Sequence, residues 1–321
     1  MAKRVLLFAS YSERNVIEDY VVYYIKKVSE YADIYFCADC DIPESELLKI
    51  KPYTKFFTAK RHKKYDFGSW GILYSQIPNI EVYDELILAN DSVFGPLYPL
   101  DKTFEKMEKL DVSACAMCGN KFMMSFFVLL KSEVFKTPWF ADFITNIKDD
   151  IDKNDIVRLY EKGISRIVEE HGLKWDCLFS KHNLKEQIKE NRQFIREGLK
   201  IIPLSIRFWH KYRTNKTRVY DDDFFILFLL GMPFIKKQPF AMNSNHFNIL
   251  APLFIQKYTD YDYRYIDNFL RLNNIKPVRK SWFHILSETL KNFFFEKKYK
   301  GRGIVYRVCK IKVYEKPHEL I

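Results

Sequence analysis

Residues 4–10, Arg4-Val5-Leu6-Leu7-Phe8-Ala9-Ser10, form a continuous apolar run bounded by polar residues. Such a run reads as a parallel strand buried on both faces. Working outward, Val16–Val28 reads as a helix and Asp33–Ala38 as the next strand. A helical Glu44–Lys49, a strand Lys55–Thr58, a helix over Gly68–Gln76 and the strand Glu85–Ala89 (ELILA) follow. Asp101–Lys109 reads as helix, Val112–Met117 and Ser125–Leu130 as extended, and Phe140–Ile151 and Ile164–His171 as helices. Gly172 serves as C-cap of the last. No structure is read between Lys181 and Tyr220; Asp222–Leu230 is helical, and Gly231-Met232-Pro233 ends it. This alternation predicts an α/β fold with a doubly wound, mostly parallel sheet. Ligands of such sheets bind beyond the carboxyl ends of the strands. That directs attention to Ser10-Tyr11-Ser12, to Asp39 and to Asn90-Asp91-Ser92.

The 321 residues are 48% hydrophobic and 29% charged, with only 10 Gly and 12 Pro. A sizeable core can form, which excludes a disordered or collagen-like chain. The longest apolar run, Phe224–Ile235, falls short of the roughly 20 residues that span a bilayer. No small-residue cleavage site follows the N-terminal apolar stretch. A cytoplasmic protein is expected. Aromatic residues are abundant, with 28 Phe and 21 Tyr.

Two CxxC pairs, Cys37/Cys40 and Cys115/Cys118, have the local form of a four-thiolate zinc site. The 74 residues between them greatly exceed the usual spacing of about 15–20. Both pairs begin inside strand-like runs, where cysteine acts as a small buried hydrophobe.

Asn90-Asp91-Ser92 places a carboxylate directly after an apolar strand. Mg²⁺ needs only one or two protein carboxylates when phosphates supply its other oxygens, and the same residues also suit a plain turn. In Tyr65-Asp66-Phe67-Gly68-Ser69-Trp70-Gly71, Asp66 fits a helix N-cap and the glycines permit close backbone approach to a ligand. The basic run Lys60–Lys64 stands just before it. His210, His246 and Lys236-Lys237 are further possible metal or phosphate contacts, and a lone histidine is more often a hydrogen-bonded residue than a ligand.

Five blocks carry a resemblance: YDFGSWGILYSQ (65–76), YDELILANDSVFGPLYPL (83–100), MSFFVLLKSEVF (124–135), YEKGISRIVEEHGL (160–173) and GMPFIKKQPF (231–240). In order and over roughly Arg4 to Pro239, the chain resembles the rhamnan synthesis protein F family. The resemblance implies a GT-A-like glycosyltransferase of bacterial surface polysaccharide assembly. Its donor would be a dTDP- or UDP-linked deoxysugar, rhamnose-like, and its acceptor a lipid-linked glycan. Together with the strand-end positions and the Tyr65–Gly71 cluster, this gives a candidate nucleotide-sugar site of Ser10, Tyr11, Asp39, Asp66, Gly68, Asn90, Asp91 and Ser92. Asp91 stands in the Asp-x-Asp position as ligand of Mg²⁺ or Mn²⁺, although the second carboxylate of that motif is missing. Glu161, at the start of a late helix, would be the general base of an inverting reaction. An acidic residue there is equally favoured by the helix dipole, and Asp222 and Asp223 are the alternatives. A catalytically inactive scaffold of a polysaccharide-assembly complex is the competing reading.

The charge is concentrated at one end. From Arg271 to Ile321 there are 13 Lys/Arg and 4 Asp/Glu, so +9 of the total +11 lies in the last 51 residues. A catalytic domain over 1–250 and a basic helical extension over 251–321 are therefore expected. Trp282, Phe283, Leu286, Leu290, Phe293 and Phe294 fall near helical spacing within Ser281–Lys298. A basic amphipathic helix of this kind suits an anionic membrane surface, here the inner face, or packing onto the domain. No nucleic-acid-binding signature accompanies it.

Overall fold

The computed structural model describes residues 2–118, 122–180, 182–201, 224–242, 247–275, 295–300, 303–308 and 311–317. β1 (Arg4–Ser10) is buried along its length, and its side chains alternate between two cores. Leu6 and Phe8 join one core, Val5, Leu7 and Ala9 the other, following the two-residue repeat of a strand. Because both faces are covered, the strand can be apolar throughout.

Parallel pairing spreads from β1. It pairs with β2 (Asp33–Ala38) on one side and β4 (Glu85–Asn90) on the other, and β2 pairs with β3 (Phe56–Ala59). Away from the main sheet lies β5 (Val93–Phe94). Beyond β4 the direction changes. β8 (Phe127–Lys131) runs antiparallel to β4 and to β6 (Val112–Cys118). Only eight residues separate β6 from β8, fewer than a parallel crossover requires, so β8 has to return antiparallel. The short β7 (Phe122–Met123) pairs with β6. β9 (Trp175–Phe179), which the sequence reading did not include, adds parallel to β6. The strand order is β3-β2-β1-β4-β8-β6, with β7 and β9 also on β6. The expected doubly wound, mostly parallel α/β sheet is present, with β8 as its antiparallel insertion.

Helices cover both faces. α1 (Asp19–Val28) buries Tyr20, Val21, Tyr24, Ile25 and Val28 against the core that contains Leu6 and Phe8. α2 (Glu44–Leu47) follows β2 and contributes Leu47 to the same core. On the other face lies α3 (Tyr65–Tyr74), which buries Trp70 and donates its indole N–H to the Ala89 carbonyl at 3.0 Å. α4 (Asp101–Met107) returns to the α1 side, and α5 (Ser132–Phe135) and α6 (Pro138–Thr145) lie on the α3 side. α3 and α6 approach closely: a Cβ on Gly71 would stand 2.4 Å from the Ile144 carbonyl oxygen. One helical run then passes from α7 (Lys153–Asp155) through a π-helical turn, Ile156–Glu161, into α8 (Lys162–Glu170). Gly172, at φ +72°, ends it, as expected of a left-handed cap residue.

Two expectations change. The boundary expected at residue 250 falls inside the helix Phe247–Tyr258. Phe254 and Ile255, with Ile266 and Leu270 of helix Arg264–Leu272, are buried in the α1-side core, so 251–275 is continuous with the sheet domain. The amphipathic segment was expected to stay helical to Lys298, but Phe295–Lys300 is β11 of a three-stranded antiparallel sheet with β12 (Gly303–Val308) and β13 (Ile311–Pro317). Trp282, Phe283, Leu286, Leu290, Phe293 and Phe294 lie outside the described residues. As expected, the two CxxC pairs begin inside strands, on β2 and β6, four strand spacings apart in the sheet. That is about 19 Å, too far for one shared tetrahedral ion. Among the described residues no helix is long and apolar enough to cross a membrane.

At the strand ends opposite the expected ligand crevice, Glu85 is fully buried. Arg4 Nε donates to its Oε2 at 2.6 Å, and Lys131 pairs with its other oxygen. Arg4 also pairs with Glu108.

Candidate active site

Asp91 follows β4 and is buried. Its Oδ2 accepts from Ser10 Oγ at 2.9 Å and from the Tyr11 backbone N–H at 3.1 Å. The loops after two neighbouring parallel strands are thus tied through one carboxylate. Its backbone carbonyl accepts from the Tyr20 hydroxyl at 3.0 Å, which fixes α1 against the same loop. Asn90 orients the rest. Its side-chain amide donates to Asp66 Oδ2 at 2.9 Å, while its Oδ1 accepts from Ser92 N–H and Ser92 Oγ at 3.1 and 2.6 Å.

Lys237 enters from the far end of the chain. β10 (Ile235–Lys236) pairs antiparallel with β5, and the Lys237 N–H donates to the Ser92 carbonyl at 3.0 Å. Gly95, at φ +140°, makes this approach possible, since a Cβ there would stand 2.5 Å from the Pro233 carbonyl oxygen. Lys237 Nζ then lies 2.8 Å from the Tyr20 hydroxyl and 3.8 Å from Asp91 Oδ1. The rings of Tyr20 and Phe269 lie beneath it at 5.2 and 5.0 Å.

Asp66 and Glu161 complete a group of three carboxylates. Asp66 sits in the first turn of α3 but does not cap it, because the helix begins at Tyr65 and the N-cap position belongs to Lys64. Its side chain turns to Asn90 instead. Burial, then the charges of Asp91 and Glu161, push the Asp66 carboxyl up to about 7, against the Asn90 hydrogen bond and Lys237. Glu161 is also raised, chiefly by burial, while Lys236, Ser125 and Lys162 act in the opposite direction. Ser125 Oγ donates to it at 3.4 Å. Because the helix is already continuous before Glu161, this residue is not at a free N-terminus, and the helix dipole does not account for it. Asp222 and Asp223 lie outside the described residues.

Asp39 builds the adjacent wall. Its Oδ1 accepts from the backbone N–H of His62 and Lys63 at 2.7 and 2.8 Å, and its Oδ2 accepts from Tyr65 N–H at 3.3 Å. Lys63 and Tyr65 both have positive φ, 60° and 56°, a conformation that costs a non-glycine residue of order 1–3 kcal/mol. Asp39 therefore shapes the loop before α3, its oxygens engaged by that loop. Gly68 faces the same loop: a Cβ there would meet Lys64 and His62, so the glycine serves packing of the loop. At the rim, the Arg61 guanidinium lies 5.2 Å from the half-exposed Tyr11 ring and 3.1 Å from Asp39 Oδ2.

Of the residues expected from sequence, hydrogen bonds join Ser10 and Tyr11 to Asp91, and Ser92 and Asp66 to Asn90, Glu161 joins Asp66 electrostatically, and Asp39 meets Tyr11 through Arg61. Tyr20, Phe269 and the position of Arg61 at the rim were not foreseen, whereas Lys237 was named with Lys236 as a possible phosphate contact. The signal for Lys237 was its place in the block GMPFIKKQPF.

A divalent cation on Asp91 would have to displace partners that its carboxylate already holds. One carboxylate oxygen is engaged by two donors and the other faces the Lys237 ammonium. Among the described residues no group of three or more His, Cys, Asp or Glu is arranged to hold a metal.

Comparisons with known proteins follow the same division between strong and weak resemblance. No curated protein matches the chain. Among solved structures, a nucleotide-diphospho-sugar transferase from Desulfovibrio desulfuricans G20 aligns over 56% of this chain and 80% of its own, at 16% identity and a TM-score of 0.38. The glycosyltransferase GlyE of Streptococcus pneumoniae TIGR4 aligns over 88% of this chain and 66% of its own, at 14% identity and a TM-score of 0.41. The 1–349 segment of S. aureus TarS with UDP gives 8% identity over 99% of this chain and 100% of its own, at a TM-score of 0.33. The family comparison is of a different kind, since the model of rhamnan synthesis protein F matches residues 34–203. That is more than half of the sequence and includes Asp39, Asp66, Asp91 and Glu161, so the chain belongs to the rhamnan synthesis protein F family.

Proposed function

We propose that the protein is a glycosyltransferase that moves a rhamnose-like deoxysugar from a dTDP- or UDP-linked donor to a lipid-linked surface glycan. One observation carries the reading. Asp66, Asp91 and Glu161 gather with Lys237 beyond the carboxyl ends of the central parallel strands, where such sheets hold their ligands. In this reading the Tyr11 ring and the Arg61 guanidinium receive the nucleoside at the rim. Lys237, held by Asp91 and Tyr20, meets the negative charge of the diphosphate, in place of the Mg²⁺ or Mn²⁺ expected at the Asp-x-Asp position.

Glu161 then takes the proton of the acceptor hydroxyl as its oxygen attacks the anomeric carbon. The bond from that carbon to the diphosphate breaks, and the nucleoside diphosphate leaves with the electron pair. Attack from the face opposite the leaving group inverts the anomeric centre. A base needs a pKa near the working pH, and the burial that raises Glu161 moves it in that direction. The basic C-terminal segment would hold the protein at the anionic inner face of the membrane, where a lipid-linked acceptor is presented.

The test is release of free nucleoside diphosphate from a panel of dTDP- and UDP-sugars, with dTDP and UDP also tested for a rise in melting temperature. Release from a dTDP-deoxysugar, increased by a glycan acceptor, is the expected result. Nucleotide binding without any release would favour the inactive scaffold. No binding of either nucleotide would remove the reading.

A further inference from the structure

A cavity of about 260 Å³ opens outside the strand-end crevice, between α1, the loop 96–100 and the turn after helix Phe247–Tyr258. Five tyrosines line it: Tyr23, Tyr31, Tyr98, Tyr258 and Tyr261. Three of their hydroxyls are fixed by the protein. Tyr23 donates to the Pro96 carbonyl at 3.2 Å, Tyr31 to Asp101 at 2.8 Å and Tyr98 to the Phe228 carbonyl at 3.1 Å. Tyr261 differs. It is 3% exposed, packs edge to face on Tyr23 with ring centres 5.0 Å apart, and its hydroxyl has no hydrogen-bond partner. That hydroxyl is itself sealed from solvent, so Tyr261 contributes packing and no accessible polar group to the cavity wall. Lys27, Glu30 and Asp260 are also in the lining, with Lys27 Nζ donating to Glu30 Oε1 at 3.4 Å.

The chemistry selects the ligand. The cavity lies just under the range of about 300–1,000 Å³ that holds drug-sized molecules, so it suits a small ring. Tyrosine rings receive an apolar face, the carboxylates of Glu30 and Asp260 accept hydrogen bonds, and the Lys27 ammonium donates them. The ligand must therefore combine an apolar face with a rim of groups that both donate and accept. A neutral pyranose has both, in its C–H face and its hydroxyls. A proline-rich peptide would also lie on aromatic rings, but it has few N–H groups to offer the Asp260 carboxylate.

We propose that this cavity is a second saccharide site, which holds a pyranose unit of a glycan beside the catalytic crevice. The two places share a helix. Tyr20 of α1 donates to Asp91, and Tyr23, nearly one turn on, lines the cavity, a rise of about 4.5 Å. The saccharide identity rests on the glycosyltransferase reading, but binding here does not require transfer.

The probe is methyl α-L-rhamnopyranoside, followed by saturation-transfer NMR on the full chain with and without saturating dTDP and UDP. We expect transfer to the sugar protons that persists in the presence of the nucleotides. Asp260→Ala removes a carboxylate acceptor from the rim and should raise Kd about two- to tenfold, the worth of one hydrogen bond, without lowering the melting temperature. Tyr258→Ala should raise it tenfold or more. The proposal is overturned if the wild-type chain shows no saturation transfer, if both variants bind as wild type, or if a proline-rich peptide binds in a Tyr258-dependent way and the glycoside does not. Absence of nucleotide release from any donor would instead strike the activity and leave this binding experiment interpretable.

Discussion

The Lys237 ammonium lies 3.8 Å from Asp91 Oδ1, although 146 positions separate the two residues. Strand β10 brings them together by pairing with β5 beside the loop after β4. A charge of fixed position thus stands at the strand end where a diphosphate would lie. Lys237→Met should raise the KM for donor at least tenfold, and Asp91→Asn, which releases both Lys237 and Ser10, should abolish transfer while the fold persists. Wild-type activity should survive excess EDTA. Loss of activity in EDTA with recovery on adding Mn²⁺ would show that a metal is used after all.

Glu161→Gln should lower turnover by about 10²–10⁴-fold, the usual worth of a general base, with donor affinity almost unchanged. The amide keeps the size of the side chain and its contact with Ser125. A near-normal Glu161→Gln together with an inactive Asp222→Asn or Asp223→Asn would move the base to the later acidic cluster.

Asp66 links activity and stability to pH. Its folded carboxyl is pushed up to about 7 by burial and by Asp91 and Glu161, above the unfolded value of about 3.9. The folded state therefore binds the extra proton between these values. The associated stability is fully present below about pH 4 and is lost as pH rises through 7, with a slope of at most about 1.4 kcal/mol per pH unit. Asp66→Asn should flatten urea midpoints measured from pH 5 to pH 7.5 and should remove a limb near 7 from the rate profile. An unchanged pH dependence of both would refute the shift.

Much of this site could be read directly. Val5–Ala9 had to be a two-faced strand because no alternating pattern was present, and Asp39, Asn90 and Asp91 were then located by the rule that ligands gather at strand ends. What escaped was set by contacts distant in sequence. Asp66 had the form of a helix cap, and only its meeting with Asn90 gives it another role. Nothing near Lys237 signals Asp91, and nothing near Phe269 signals Tyr20, whose ring it meets at 5.4 Å. The antiparallel return of β8 follows from a short connection, but its neighbours in the sheet were not fixed by local pattern. β9 was missed because Trp175–Phe179 is too short and too mixed in burial to show a clear period.

Glu85→Gln tests the opposite end of the sheet. The carboxylate is fully buried between Arg4 and Lys131. Removing one partner of a buried ion pair leaves uncompensated charge, which typically costs about 3–5 kcal/mol. The urea midpoint should fall while the slope stays constant, and nucleotide binding to the remaining folded protein should be intact, since these residues are at the far strand ends. A shift below about 1 kcal/mol would show that water reaches the cluster.

The basic terminus gives the last prediction. Net charge of +9 over residues 271–321, at roughly 1 kcal/mol per Lys or Arg near an anionic surface, should bind the protein to phosphatidylserine-containing vesicles at low salt. Raising salt from 0.1 to 1 M shortens the Debye length from about 10 to about 3 Å and should weaken that binding. A salt-resistant remainder is expected from Trp282, Phe283, Phe293 and Phe294, and Phe293→Ser with Phe294→Ser should remove it. Truncation before Ser281 should abolish vesicle binding and spare nucleotide binding. Ile266 and Leu270 lie in the core and Asn273 Nδ2 is 3.4 Å from Glu18 Oε1, so the cut leaves those contacts in place. Indifference of the full chain to anionic vesicles at low salt would sink the membrane role, and unfolding on truncation would show that the terminus is needed by the sheet domain instead.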